Sequence, residues 1–511
     1  MKIYGSAISR VDRSSDLYRK LERVHLSIAA KDPNTWGPEA AVEAAIRLNW
    51  VDLPETSREL LPEIDAVIAR FSHIKRIVLA GMGGSSLAPE VIAQSFQKNL
   101  FILDSTDPHY VAHALAGDVA STLLVVSSKS GSTIETTSAR AIFSQACEKA
   151  GLSLSAHLLV ITDPGSPLDL QARKEGLTVI NADPQVGGRF SALTAFGLVP
   201  SALVGVDVSV ILDQAADAKK EFVSDSQFII DVAAIFLTQT EQYISFVERG
   251  SGLHGLSDWI EQLIAESTGK SGVGRLPVAV EDLESAAVGG ALTVSFSDSE
   301  ADLVVTGELG EHFIFWEWVT ALVGAGLEID PFNQPNVTEA KRATAELLNQ
   351  WKGILPEFIA PHSDKEIAIF GGENSLDQSL RALIDNVPAG GYISIQAYLD
   401  RKDDKRIQEL RRILSAKSAL PVTFGWGPRF LHSTGQFHKG GQPNGAFLQI
   451  TGDCHTNFEI PGSDFSFETL LMAQALGDFQ ALQKRKFPLL RLHLEDRPAG
   501  ITQLLEAARL L

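Results

Sequence analysis

The 511-residue sequence predicts an α/β fold built on parallel sheets. From about residue 74, short β-branched runs alternate with amphipathic stretches, the rhythm of strand, helix and strand in one sheet. Two of the runs end in loops rich in Gly, Ser and Thr, where a strand would hand over to a helix. In such sheets ligands sit beyond the carboxyl ends of the strands, and both loops lie there.

The elements follow in order. Residues 1–57 read as polar or amphipathic helices, with Leu, Val and Ile at helical spacing in Leu17–Ile28 and again in Ala40–Leu48. Strands are expected at Arg76–Ala80, Leu100–Leu103, Thr122–Val126, His157–Ile161 and Thr178–Ile180. A helical spacer at 207–222 leads to a second set: helices at 228–240 and 255–267, strands at Ile244–Val247, Val278–Val280, Leu292–Phe296 and Leu303–Val305, and a helix starting near His312. A third α/β segment carries strands at Ile367–Phe370, Tyr392–Ile395, Val422–Phe424 and Phe447–Ile450. The expected division is 1–57, 58–206, 207–345 and 346–511.

Composition sets bounds on function. A formal charge of −19 repels nucleic acid and anionic membranes over most of the surface, so a small anion must meet a local basic pocket. Cys147 and Cys454 are too few for a disulfide framework or a four-cysteine zinc site, and suit a reducing compartment. The first residues lack the apolar core of a signal peptide, and no stretch approaches the roughly 20 apolar residues that span a bilayer, so a cytoplasmic protein is expected.

The first loop, Gly81-Met82-Gly83-Gly84-Ser85-Ser86, follows Ile77-Val78-Leu79-Ala80, and the second, Ser127-Ser128-Lys129-Ser130-Gly131-Ser132-Thr133, follows Leu123-Leu124-Val125-Val126. Free backbone N–H groups, small side chains, hydroxyls and one lysine are what a phosphate monoester needs. Two other readings of the first loop exist: a dinucleotide site, with Asp104 at the end of the next strand as the ribose acid, and a tight turn without ligand. Ser86 stands where the dinucleotide motif requires its third glycine, and the second hydroxyl-rich loop tips the balance to phosphate.

Six motifs then occur in sequence between residues 76 and 341: the two loops, with the second running on through Ile134-Glu135-Thr136; Val186-Gly187-Gly188-Arg189-Phe190-Ser191; Gln262 to Lys270; Gly310-Glu311-His312; and Phe332-Asn333-Gln334 through Lys341. Together they resemble the glucose-6-phosphate isomerase family. Gly425 to Gln436 resembles the isomerase half of bifunctional transaldolase/glucose-6-phosphate isomerases, and the segment before residue 76 is too short for a transaldolase barrel of roughly 250 residues, so only the isomerase half is expected. Departures from the family pattern are Ser130, Thr268, Glu311, Asn336 and Thr338.

The resemblance implies two sugar-isomerase (SIS) domains, flavodoxin-like with doubly wound parallel sheets, plus an α/β C-terminal extension. It implies isomerisation of D-glucose 6-phosphate and D-fructose 6-phosphate through a cis-enediol, without metal or cofactor. Glu266 would be the base, Arg189 the stabiliser of the enediolate, and His312 with Lys341 would open the ring. Gly83, Gly84, Ser85, Ser128, Lys129, Ser130, Thr133, Glu135, Gly188 and Gln334 would bind the sugar phosphate. The family further implies a homodimer in which His312 reaches the neighbouring subunit's site, and the aromatic helix after His312 (Phe313, Ile314, Phe315, Trp316, Trp318) reads as surplus apolar surface. Rival readings are a dual phosphoglucose/phosphomannose isomerase and a non-catalytic sugar-phosphate-binding SIS regulator. The glycine-flanked run His432 to Gly441 reads as a further anion or substrate loop or, better, as a loop at a domain or subunit contact. A metal held by His432 and His438, with Asp453 and His455, fits no ligand spacing.

Overall fold

A computed structural model describes residues 1–297 and 299–511. Its strands are β1 (Lys2–Tyr4), β2 (Arg76–Gly81), β3 (Phe101–Leu103), β4 (Thr122–Ser127), β5 (Leu158–Thr162), β6 (Thr178–Asn181), β7 (Tyr243–Val247) and β8 (Leu276–Val280). They continue with β9 (Leu292–Ser295), β10 (Leu303–Thr306), β11 (His362–Asp364), β12 (Ile367–Phe370), β13 (Tyr392–Ala397), β14 (Val422–Trp426), β15 (Gly445–Gly452) and β16 (Leu489–Leu494). Three sheets result.

The first sheet has the order β3-β2-β4-β5-β6 with every pair parallel. Helices cover both faces, so β4 is buried at every residue, which accounts for its unbroken apolar sequence. From β2 the chain steps to β3 on one side, then crosses back to β4 on the other. The loops after β2 and β4 therefore part, and a crevice opens between them.

The second sheet, β1-β10-β9-β7-β8, is parallel except for β1, which pairs antiparallel with β10 through Ile3 and Val305. The N-terminal residues thus supply an edge strand as well as helices. The expected helix over Ala40–Leu48 shrinks to Ala41–Ala44, because Leu48 bridges to Val186 and the Asn49 side-chain amide donates to Asp183 at 2.9 Å. Helix Leu309–Gly326 is apolar all round, as a helix enclosed by its own chain should be. It lies among helices Asp16–Ala29, Val208–Ser224, Gln227–Thr238 and Leu256–Thr268. Phe313, Ile314, Phe315, Trp316 and Trp318 are all 0% exposed, so the surplus apolar face read from sequence is consumed inside this chain.

The third sheet, β11-β12-β16-β15-β13-β14, is parallel from β16 to β14 and antiparallel at β11 and β12. Its strand β16 is not among those the sequence predicts, since Arg491 and His493 interrupt the leucines of Leu489–Leu494. Leu490, Leu492 and Leu494 face the core, while the Arg491 guanidinium stacks 3.5 Å from the ring centre of Phe370. Helix Phe467–Lys484 brings this unit against helix Val337–Trp351 and the end of the first sheet.

Candidate active site

The crevice beyond β2 and β4 is a cavity of about 430 Å³. Its floor is the first loop. Gly83 has φ +56°, and a Cβ there would lie 2.8 Å from both the Gln262 amide nitrogen and the His432 carbonyl oxygen. At Gly84 a Cβ would fall 1.8 Å from the Gly188 carbonyl oxygen, so only glycine lets the two backbones meet.

The second loop is internally braced. Ser128 Oγ accepts from the Gly131 N–H at 3.1 Å and lies 3.1 Å from Thr133 Oγ1. Thr133 stands at the N-cap position of helix Ile134–Lys149 without a side-chain cap hydrogen bond, and since it lines the cavity the positive end of that helix begins there, which favours a dianion. Lys129 is engaged already: its Nζ lies 2.5 Å from Asp163 Oδ2. Burial lowers the lysine and raises the aspartate, pushing both toward their neutral forms despite the attraction between them.

Arg189 forms the opposite wall and is 4% exposed. Its Nε donates to Ser267 Oγ at 3.2 Å, its Nη2 to the carbonyls of Phe332 (3.1 Å) and Asn333 (3.0 Å), and both terminal nitrogens to Gln334 Oε1. Its Nη1 lies 3.3 Å from Glu266 Oε1. Helix Leu256–Thr268 carries Gln262 and Glu266 one turn apart, and Gln262 Nε2 donates to Glu266 Oε2 at 3.2 Å. The Phe332–Gln334 turn is held by Lys270, whose Nζ donates to the Asp330 and Asn333 carbonyls at 2.7 and 2.6 Å. Burial, followed by repulsion from Arg189, lowers Lys270 to about 7.

Gly83, Gly84, Ser85, Ser128, Lys129, Ser130, Thr133, Gly188, Arg189, Glu266, Gln334 and Lys341 all line this cavity. Two of the residues read from sequence do not. Glu135 sits behind it, 7% exposed. His312 is 0% exposed inside helix Leu309–Gly326, takes a hydrogen bond from Trp316 Nε1 at 3.3 Å, and meets Phe296 edge-on. Burial in this apolar core lowers it to about 3. Enclosed by its own chain, it does not line this cavity, where the ring-opening role would place it.

The histidine that does line the cavity is His432, at the end of the turn Arg429–His432. Its Nε2 lies 3.0 Å from Glu135 Oε1, which also accepts from Gln474 Nε2 at 2.7 Å. Burial pushes Glu135 up, but the attraction and hydrogen bond of His432, with Lys341 farther off, hold it below the usual carboxylate range. The sequence signal for this residue is the polar, glycine-flanked run after a strand. What the run lacks is any hint that it crosses to the first sheet. The metal ligands considered there lie apart: His438 bonds Tyr392 and Ser394, Asp453 bonds His493, and His455 lies beside His109. Asp104, the candidate ribose acid, is buried against Arg429 at 2.8 Å.

The sequence model of the phosphoglucose isomerase family matches residues 59–288. Within this matched segment fall both loops, Arg189 and Glu266, whereas His312, Lys341 and His432 lie beyond it. The glucose-6-phosphate isomerase of Synechococcus sp. (strain JA-3-3Ab) is 38% identical over 195 residues, 36% of this chain and 37% of that protein. A glucose-6-phosphate isomerase of Thermus thermophilus is 32% identical over 237 residues, 45% of this chain and 57% of the relative. The chain therefore spans less than two thirds of the length of these relatives. The crystal structure of a glucose-6-phosphate isomerase from Chlamydia trachomatis shares the fold, with a TM-score of 0.51 and 19% identity over 62% of this chain and 76% of that one. No described helix is long and apolar enough to cross a membrane.

Proposed function

We propose that the chain is a glucose-6-phosphate isomerase, interconverting D-glucose 6-phosphate and D-fructose 6-phosphate in the cytoplasm as a step of glycolysis and gluconeogenesis. The observation that carries this reading is the Glu266–Arg189 pair, 3.3 Å apart, facing two hydroxyl-rich phosphate loops across one cavity. On the open-chain sugar, Glu266 takes the C2 proton and returns it to C1, and Arg189 stabilises the negative charge that develops on the enediolate oxygens. The Gly83–Ser85 and Ser128–Thr133 loops hold the phosphate, Lys129 exchanging part of its contact with Asp163 for the incoming dianion, and Gln334 meets the sugar. Residues 58–206 and 207–345 are the two SIS domains of this reading, with 346–511 as the extension. The homodimer rests on the resemblance alone, since His312 no longer argues for it.

A coupled assay offering glucose 6-phosphate and mannose 6-phosphate separately tests the reading. Glucose 6-phosphate should turn over, and Glu266→Gln should lower kcat by at least roughly 10²-fold with sugar-phosphate binding retained. Binding without turnover in the unaltered protein would make it the regulator instead. Comparable turnover of mannose 6-phosphate would make it the dual isomerase.

A further inference from the structure

We propose that His113, Asp400 and Asp403 bind one divalent metal ion of the zinc class, which clamps the third α/β unit onto the first. None of the three lines the isomerase cavity, so the proposal stands independently of that reading.

The geometry is that of a ligand set. His113 lies in the last turn of helix Pro108–Leu115 of the first unit, and the two aspartates lie in the turn that follows β13 of the third. His113 Nε2 is 3.1 Å from Asp400 Oδ2 and 3.0 Å from Asp403 Oδ2, and one ligand atom from each residue falls within 4.8 Å of the others. Atoms bound about 2.1 Å from a common ion lie about 3.0 Å apart at a right angle and about 3.4 Å apart at the tetrahedral angle, so both spacings suit neighbouring positions around one ion.

Hydrogen bonding alone leaves an oxygen over. Nε2 carries at most one proton, and its hydrogen bond goes to Asp403 Oδ2. Asp400 has a side chain only 1% exposed, and its Oδ2 is buried with no hydrogen bond among the described residues. Its Oδ1 is satisfied, accepting from the Lys402 N–H at 2.8 Å. A carboxylate withdrawn from water with one oxygen bare is costly, and a cation beside it removes that cost.

The turn is also held in place from both sides. Arg401 Nη1 donates to Glu90 Oε1 at 3.0 Å and its Nε to the Tyr110 hydroxyl at 2.8 Å, while Arg497 joins Asp404 to Asp107 at 3.2 and 2.8 Å. The ligands are therefore positioned before the ion arrives. One imidazole with two carboxylates suits Zn²⁺ better than Mg²⁺, and water reaches the remaining positions, since the side chains of His113 and Asp403 are 23% and 64% exposed. Lys402 opposes the ion. Its Nζ lies 3.4 Å from His113 Nδ1, and a metal on Nε2 keeps the ring proton on Nδ1, so this exposed lysine must turn to solvent.

Calorimetric titration of the full chain, first stripped with EDTA, tests the site. Zn²⁺ should bind with a dissociation constant of roughly micromolar, at least about tenfold more tightly than Mg²⁺, and should raise the melting temperature. His113→Gln and Asp403→Asn should each weaken Zn²⁺ by at least roughly tenfold and remove that rise. Both side chains reach solvent, so these variants serve even if Asp400→Asn fails to fold. Lys402→Met should tighten Zn²⁺ binding, a gain that scattered surface binding would not show. No binding of Zn²⁺ to the stripped chain, equal affinity in His113→Gln and Asp403→Asn, or weaker binding in Lys402→Met would each overturn the proposal.

Discussion

Helix Leu309–Gly326 and the turn Arg429–His432 each carry a histidine, and the two are opposites. The helix is enclosed by four others, and His312 within it faces Trp316 and Phe296 with its Nε2 buried and unpartnered among the described residues. The same helix holds Glu317 with both carboxylate oxygens buried and unbonded among the described residues, so burial drives that acid well above its ordinary range. Groups in such a place stay neutral through the working pH range and exchange no protons with a substrate. In the turn, one imidazole nitrogen meets a buried carboxylate, the other makes no hydrogen bond among the described residues, and the residue lines an open cavity. Access together with an orienting partner, rather than residue type or a neighbouring motif, separates the histidine fit for chemistry from the one committed to packing.

Four measurements would break or sharpen that contrast. The largest effect is expected at the cavity: Arg189→Lys keeps the charge but loses the planar fork that holds Gln334 and two carbonyls while facing Glu266, so kcat should fall by roughly 10²–10³-fold with KM little changed. A rise in KM alone would move Arg189 from the reacting carbons to the phosphate. Next, Thr133→Ala should weaken an acyclic sugar-acid phosphate inhibitor by roughly tenfold or more with little change in melting temperature, since one charge-assisted hydrogen bond is worth about 1.5–3 kcal/mol. An unchanged inhibition constant would place the phosphate elsewhere.

The third concerns the enclosed helix. His312 is held at about 3 in the folded chain against an ordinary value of 6.5, so between those values the unfolded chain binds the extra proton. Stability should fall as pH drops from 6.5 toward 3, by up to about 1.4 kcal/mol per pH unit from this group. His438 is shifted in the same direction and adds to the acid sensitivity. Melting curves against pH should show a shallower acid limb for His312→Leu, with kcat within about twofold of the unaltered chain. A slope that did not change would contradict the neutral, buried state. The smallest effect is a null one: co-expressing Glu266→Gln with His432→Gln should recover no activity beyond the single variants, because Glu266 and His432 line one cavity of the same chain and every copy then carries one defect. Recovery of roughly a quarter of full activity would mean the histidine is supplied by a second copy.

The sheets are legible in the sequence where strands are buried on both faces, as in β2 and β4, since an unbroken apolar run there has one reading. β16 escapes because Arg491 lies on it, and a guanidinium in a strand core makes sense only once Phe370 is seen beneath it. The cavity is legible to the same degree. Gly83, Gly84, Ser128 and Thr133 stand out because backbone freedom and hydroxyls at strand ends are local properties written within a few residues of one another, whereas Arg189 and Glu266 are singled out only by the resemblance. Glu135 reads as a sugar contact and stands instead behind His432, a position that depends on Gln474, 339 residues away.

By itself the sequence determined the α/β class and the two phosphate-type loops, because helix and strand periods and glycine conformations depend on neighbouring residues. Which histidine meets the cavity was decided only by tertiary structure. Burial and hydrogen-bond partners set the chemistry of an imidazole, and both are assembled from segments far apart in the chain: helices from the first three hundred residues close over His312, while the third unit's docking brings His432 onto Glu135, 297 residues away.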